Sequence, residues 1–84
     1  MRNINKFVKE NNFITEDIST PGCKGLMVHI PTESRDYRAL VRCYGADDYE
    51  AEIYYKLNNG KYSWLKIYYA TSQKQLIGFL QELL

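Results

Sequence analysis

Histidine is nearly absent: His29 stands alone in 84 residues, which excludes histidine-built metal clusters and paired imidazole acid–base work. A single histidine on a strand is far more often a surface group than a catalyst. Cysteine is scarce too, and Cys23 and Cys43 alone cannot complete a structural zinc site. Alternation in the strands that carry them sets Cys43 on an apolar face and Cys23 at a loop edge. No disulfide is expected, and Cys43 reads as a small buried hydrophobe. Long apolar runs are missing, none approaching the length of a membrane span, and the opening Met1-Arg2-Asn3-Ile4-Asn5-Lys6 lacks the apolar core of a secretory signal. A cytoplasmic protein with no membrane association is the expectation.

Charge of one sign is also lacking. Eleven Lys and Arg against ten Asp and Glu leave a formal net charge of +1, too little for a global pull toward nucleic acid or anionic membrane. No phosphate-cradling glycine loop, nucleophile–base motif or metal-ligand spacing occurs. Asp47-Asp48 with Glu50 and Glu52 forms a local acidic cluster, but a cation would need more oxygen ligands, and solvated strand-edge charges explain it more simply. No set of residues meets the geometric roles of a catalytic site. The chain is therefore expected to be non-enzymatic, with no cofactor and no metal.

What is present is tyrosine: eight Tyr lift the aromatic share to 14 %. Apolar content of 45 % with 25 % charged residues supports a packed core and argues against disorder. No repeat, low-complexity tract or composition shift divides the chain, so residues 1–84 are expected to form a single domain.

The stretch Tyr49–Tyr69 holds two strand-like runs around Asn58-Asn59-Gly60. A two-residue Asn59-Gly60 turn would pair Leu57 with Tyr62 and mix apolar with charged groups on both faces. A three-residue loop pairs Leu57 with Lys61 and gives Gly60 a left-handed position that it occupies without steric cost. The faces then separate. One carries Tyr49, Ala51, Ile53, Tyr55 and Leu57 beside Lys61, Ser63, Leu65, Ile67 and Tyr69. The other carries Glu50, Glu52, Tyr54 and Lys56 beside Tyr62, Trp64, Lys66 and Tyr68, with Glu52 facing Lys66 and Tyr54 facing Trp64. The first face is predicted to be core.

The rest of the chain covers that face. Residues 3–11 read as a short helix capped by Asn3, with Ile4, Phe7 and Val8 on one side. Phe13–Ile18 reads as a brief strand or extended connection, and Ser19-Thr20-Pro21-Gly22 as a turn. Leu26, Val28 and Ile30 alternate with Met27 and His29; Tyr37, Ala39, Val41 and Cys43 alternate with Arg38, Leu40, Arg42 and Tyr44. At the end, Ser72 with Gln75 matches a capping box, and Leu76, Ile77, Leu80, Leu83 and Leu84 form a helical stripe bordered by Phe79. Gly78 inside that helix suggests a close approach to the sheet. The fold class is α+β: a two-layer sandwich in which an antiparallel meander of four to five strands carries an N-terminal and a C-terminal helix on one face (α-β-β-β-β-α).

The other face is then open, unless the first helix crosses to it. It shows Trp64, Tyr54, Tyr62, Tyr68, Tyr44, Arg38, Arg42 and Lys66 as candidate partner-binding residues, types that dominate binding hot spots. The plain alternative is that Tyr is simply a good strand former whose ring lies under Lys and Arg stems. The functional expectation is a small protein-binding module with a protein partner. Asn, Lys, Ile and Tyr make up 28 of 84 residues, an AT-rich codon bias that suggests an inhibitor or accessory protein of a phage or mobile element. A single-stranded nucleic-acid-binding domain using the same face is the alternative, although Arg38, Arg42, Lys56 and Lys66 against Glu50 and Glu52 leave little net charge for phosphates. A homodimer is the third reading.

Overall fold

In the computed structural model, which describes residues 1–84, the central hairpin closes through the expected three-residue connection. The Leu57 amide donates to the Lys61 carbonyl at 2.7 Å, the Gly60 amide donates to the Leu57 carbonyl at 3.0 Å, and Gly60 has φ +84°. The Asn59 side chain fixes the tip by accepting the Lys61 amide at 2.9 Å. This hairpin joins the fourth and fifth strands of the sequence α1 (Arg2–Glu10), β1 (Thr15–Asp17), β2 (Lys24–Pro31), β3 (Asp36–Gly45), β4 (Asp48–Lys56), β5 (Tyr62–Ala70) and α2 (Gln73–Gln81). All five strands form one antiparallel sheet in the order β1-β2-β3-β4-β5, each pairing with its neighbour in sequence. No helix is long and apolar enough to cross a membrane.

A single core cluster holds Ile4, Phe7 and Val8 from α1, Leu76 and Leu80 from α2, and Val28, Ile30, Ala39, Val41, Ala51 and Ile53 from the sheet. These strand residues share one face by alternation and by register: Val28 faces Ala39, which faces Ile53. Both helices therefore lie on that face, and α1 does not cross to the other.

The helix ends depart from expectation in an instructive way. Helix α1 starts at Arg2, with Met1 at its N-cap and no side-chain cap of its own. Its first free amides, those of Asn3 and Ile4, instead donate to Gln73 Oε1 at 2.8 and 3.1 Å. The helix thus begins before Asn3, which was expected to cap it, and the first residue of α2 satisfies two of its free donors. Ser72 caps α2 by accepting the Gln75 amide at 3.1 Å, but the Gln75 side chain turns to the Thr71 amide at 2.8 Å, leaving the box half-formed. Leu84 lies past the end of α2 and is exposed. Gly78 meets nothing: a Cβ built there finds no atom within 4 Å, so no close approach explains it. The close approach is at Gly25, where a Cβ would stand 2.9 Å from Ile18 Cγ1 and 3.1 Å from the Ile18 carbonyl oxygen. Both cysteines are free, and Cys43 is half-buried against the core rather than sealed in it.

The main correction lies in β5. Near the tip the register is as expected, with Tyr54 opposite Trp64 and Lys56 opposite Tyr62. One step further the ladder slips: Ile53 faces Lys66, so Leu65 is an extra residue on β5. Every later residue of β5 then changes face. Tyr68 and Ala70 turn to the helices, opposite Ala51 and Tyr49, while Ile67 and Tyr69 turn to the uncovered side, opposite Glu52 and Glu50. The exchange seats small, buried Ala70 beside buried Tyr49 and stacks Tyr68 on Phe79, with centroids 4.6 Å apart. A bulge also adds local twist, which helps an edge strand wrap around packed helices.

Candidate docking face

The uncovered face is built in rows across the strands. One row runs Glu16, Met27, Leu40, Glu52 and Ile67. The next runs His29, Arg38, Tyr54 and Trp64, with Ile14 joining at the far edge through the His29 amide, which donates to the Ile14 carbonyl at 2.9 Å. A third runs Gly25, Arg42, Glu50 and Tyr69. At the end of β3, Tyr44 is an extra residue in the pairing with β4, next to Glu50.

Four large side chains on this face are strongly exposed: Ile14 at 72 %, Tyr69 at 69 %, Trp64 at 54 % and Tyr44 at 49 %. Tyr54, Tyr62, Met27, Leu40 and Ile67 are half-buried among them. Apolar area of this kind, left uncovered by the chain's own helices, is unusual for a lone domain.

Six of the eight expected residues come together here: Trp64, Tyr54, Tyr62, Tyr44, Arg38 and Arg42. Two do not. Tyr68 packs against the helices through its stack with Phe79, and Lys66 follows it, its ammonium 5.4 Å from the Tyr68 ring centroid. The bulge at Leu65 is the physical reason for both. In exchange the face gains Tyr69 and Ile67. Nothing in the residue types of β5 announces the slip, because both of its faces mix aromatic and aliphatic groups. Ile14 could have been found by carrying the alternation of β2 outward to its short neighbour.

Electrostatics on the face are internal. Glu52 pairs with Arg42 rather than Lys66: Arg42 Nη1 lies 2.7 Å from Glu52 Oε1 and 3.9 Å from Glu50 Oε2. The Tyr54 hydroxyl donates to Glu52 Oε2 at 3.1 Å. Burial, reinforced by that bond to a carboxylate, pushes the Tyr54 phenol above its usual value. The hydrogen bond to Glu50 does the same for Tyr44. Arg42 is thus engaged by two carboxylates and has little left for an external anion. Arg38 is different: its guanidinium lies over Tyr62, 3.9 Å from the ring centroid, and its Nε is buried with no hydrogen-bond partner. No three of the His, Cys, Asp and Glu side chains converge as metal ligands.

No protein-family model, curated protein or solved structure matches the chain.

Proposed function

We propose that the chain is a small non-enzymatic module that binds another protein through the uncovered sheet face, with Trp64 at its centre and Tyr44, Tyr54, Tyr62, Tyr69 and Arg38 around it. The observation that carries this reading is the asymmetry of the sheet. Both helices cover one side, while the other leaves Trp64, Tyr69, Tyr44 and Ile14 about half exposed or more. Trp, Tyr and Arg supply large rigid contact area for little lost entropy, which is why they anchor protein interfaces. An inhibitor or accessory role in a mobile element is the sharp form of this reading.

Two observations favour a protein over the other partners. Lys66 has left the face and Arg42 is tied to Glu50 and Glu52, so two of the four cations expected to track phosphates, Arg38, Arg42, Lys56 and Lys66, are lost to it. Self-pairing along the β5 edge meets the bulge at Leu65 and the charge of Lys66 in mid-strand, both devices that blunt an edge. The test is affinity capture from a lysate of the source cells with wild type and Trp64→Ala. Loss of specific partners from the Trp64→Ala sample is the expected result, and identical partner sets would overturn the assignment of the face.

A further inference from the structure

On the uncovered face lies a hollow of about 510 Å³ lined by Met27, Leu40, Tyr54 and Tyr62, with Arg38 and Lys61 as its charged members. Neither cation has a carboxylate within 4.0 Å; the ion pairs of the chain join Lys6 to Glu10 and Arg42 to Glu50 and Glu52. Arg38 is also held in place, its guanidinium on the Tyr62 ring and its Nε buried without an acceptor. A guanidinium pre-positioned by stacking loses little freedom when it takes a carboxylate.

The surroundings set the size of that anion. Glu52 and Glu16 stand on the same row as Met27 and Leu40, and Glu50 one row beyond, so a chain of phosphates leaving the hollow would meet fixed negative charge. A single carboxylate is small enough to sit at the two free cations, and Glu52 beside the Tyr54 wall is already taken up by Arg42 and the Tyr54 hydroxyl. The apolar walls favour a group with carbon next to the charge, because Met27, Leu40 and the two rings offer nothing to a hydrated ion.

We propose that this hollow receives an acidic side chain of a partner polypeptide, flanked by an aromatic or aliphatic residue, with Arg38 and Lys61 holding the carboxylate. This rests on the docking reading above and specifies the chemistry of the partner.

The probe is a fluorescein-labelled random copolymer of Glu and Tyr, titrated by anisotropy against the full chain. Polyglutamate, a Lys/Tyr copolymer and oligothymidylate serve as comparisons. Saturable binding of the Glu/Tyr copolymer is expected, tighter than that of the other three. Arg38→Gln should weaken it by about tenfold or more, the usual range for hydrogen bonds to a charged group, and Lys61→Gln by about threefold, the range of an exposed, solvent-screened ion pair. Lys61 is exposed, so Lys61→Gln tests the charge even if Arg38→Gln loosens the fold around Tyr62. Three outcomes overturn the proposal: no binding of the Glu/Tyr copolymer, equal or tighter binding of oligothymidylate or the Lys/Tyr copolymer, or affinity unchanged in both variants. Trp64→Ala in the same titration separates the two readings. Binding that falls with Trp64→Ala but ignores both cation variants keeps the face and removes the hollow. Binding that depends on the cations while captured partners ignore Trp64 keeps the hollow and removes the wider face.

Discussion

On the helix side of the sheet Tyr68 lies flat against Phe79, with ring planes 4° apart, while the next residue, Tyr69, stands 69 % exposed on the other side. The two tyrosines are the same residue type in the same strand, one peptide apart. One contributes its ring to the core; the other leaves it in water. The face each meets is fixed three residues earlier, where Leu65 is inserted opposite Ile53. What an aromatic residue does here is therefore set less by its own chemistry than by a single extra residue upstream, and the two faces can be told apart by how much each tolerates losing a side chain.

The largest contrast is between Ile53 and Trp64. Ile53 is fully buried at the centre of the helix-covered face, and Ile53→Ala should cost about 2–5 kcal/mol through lost burial and the cavity left behind. Trp64→Ala removes a larger side chain from the uncovered face and should cost under about 1 kcal/mol, the worth of its cross-strand contact with Tyr54. Urea denaturation of the two variants measures both. A Trp64→Ala cost as large as that of Ile53→Ala would mean that the indole is structural, and the comparison of faces would break.

The Tyr68 and Tyr69 pair tests the bulge itself. Tyr68→Ala should cost about 1–3 kcal/mol, because it strips a packed ring and its stack with Phe79. Tyr69→Ala should stay within about 0.5 kcal/mol. Without the bulge the order would reverse, so equal or inverted costs by the same urea measurement would sink the register described for β5.

This is also where the sequence stops being readable. The hairpin tip was legible because Gly60 takes the left-handed position without steric cost and the separation of faces singles out one loop length. The helices were legible from Ile4, Phe7 and Val8 and from Leu76 and Leu80, which recur at helical spacing and all reach the core. The pairing of Arg42 with Glu52 was not, because Lys66 was an equally good partner until Leu65 displaced it. Alternation carries a strand forward only until a residue is inserted. At Leu65 the gain comes from residues distant in sequence, the stack on Phe79 in α2 above all. Capping of α1 by Gln73 was hidden for the same reason, since donor and acceptor are 70 residues apart.

The narrowest contrast concerns two glycines whose roles differ from what position in an element suggests. Gly25 sits in a strand, where a side chain is normally welcome, yet Ile18 fills the space its Cβ would take, with a backbone oxygen at 3.1 Å. Because backbone yields less readily than a side-chain tip, Gly25→Ala should cost about 1–3 kcal/mol through overpacking. Gly78 sits in mid-helix, where glycine is penalised, and a Cβ there meets nothing within 4 Å. Gly78→Ala should therefore stabilise the fold by about 0.5–1 kcal/mol, since the only change is lost freedom in the unfolded chain and a better helix former. For a domain of this size that raises Tm by roughly 2–8 °C. A fall in Tm for Gly78→Ala would show that the outer side of α2 makes a contact this fold does not contain, and that the helices, like the sheet, have a second face in use.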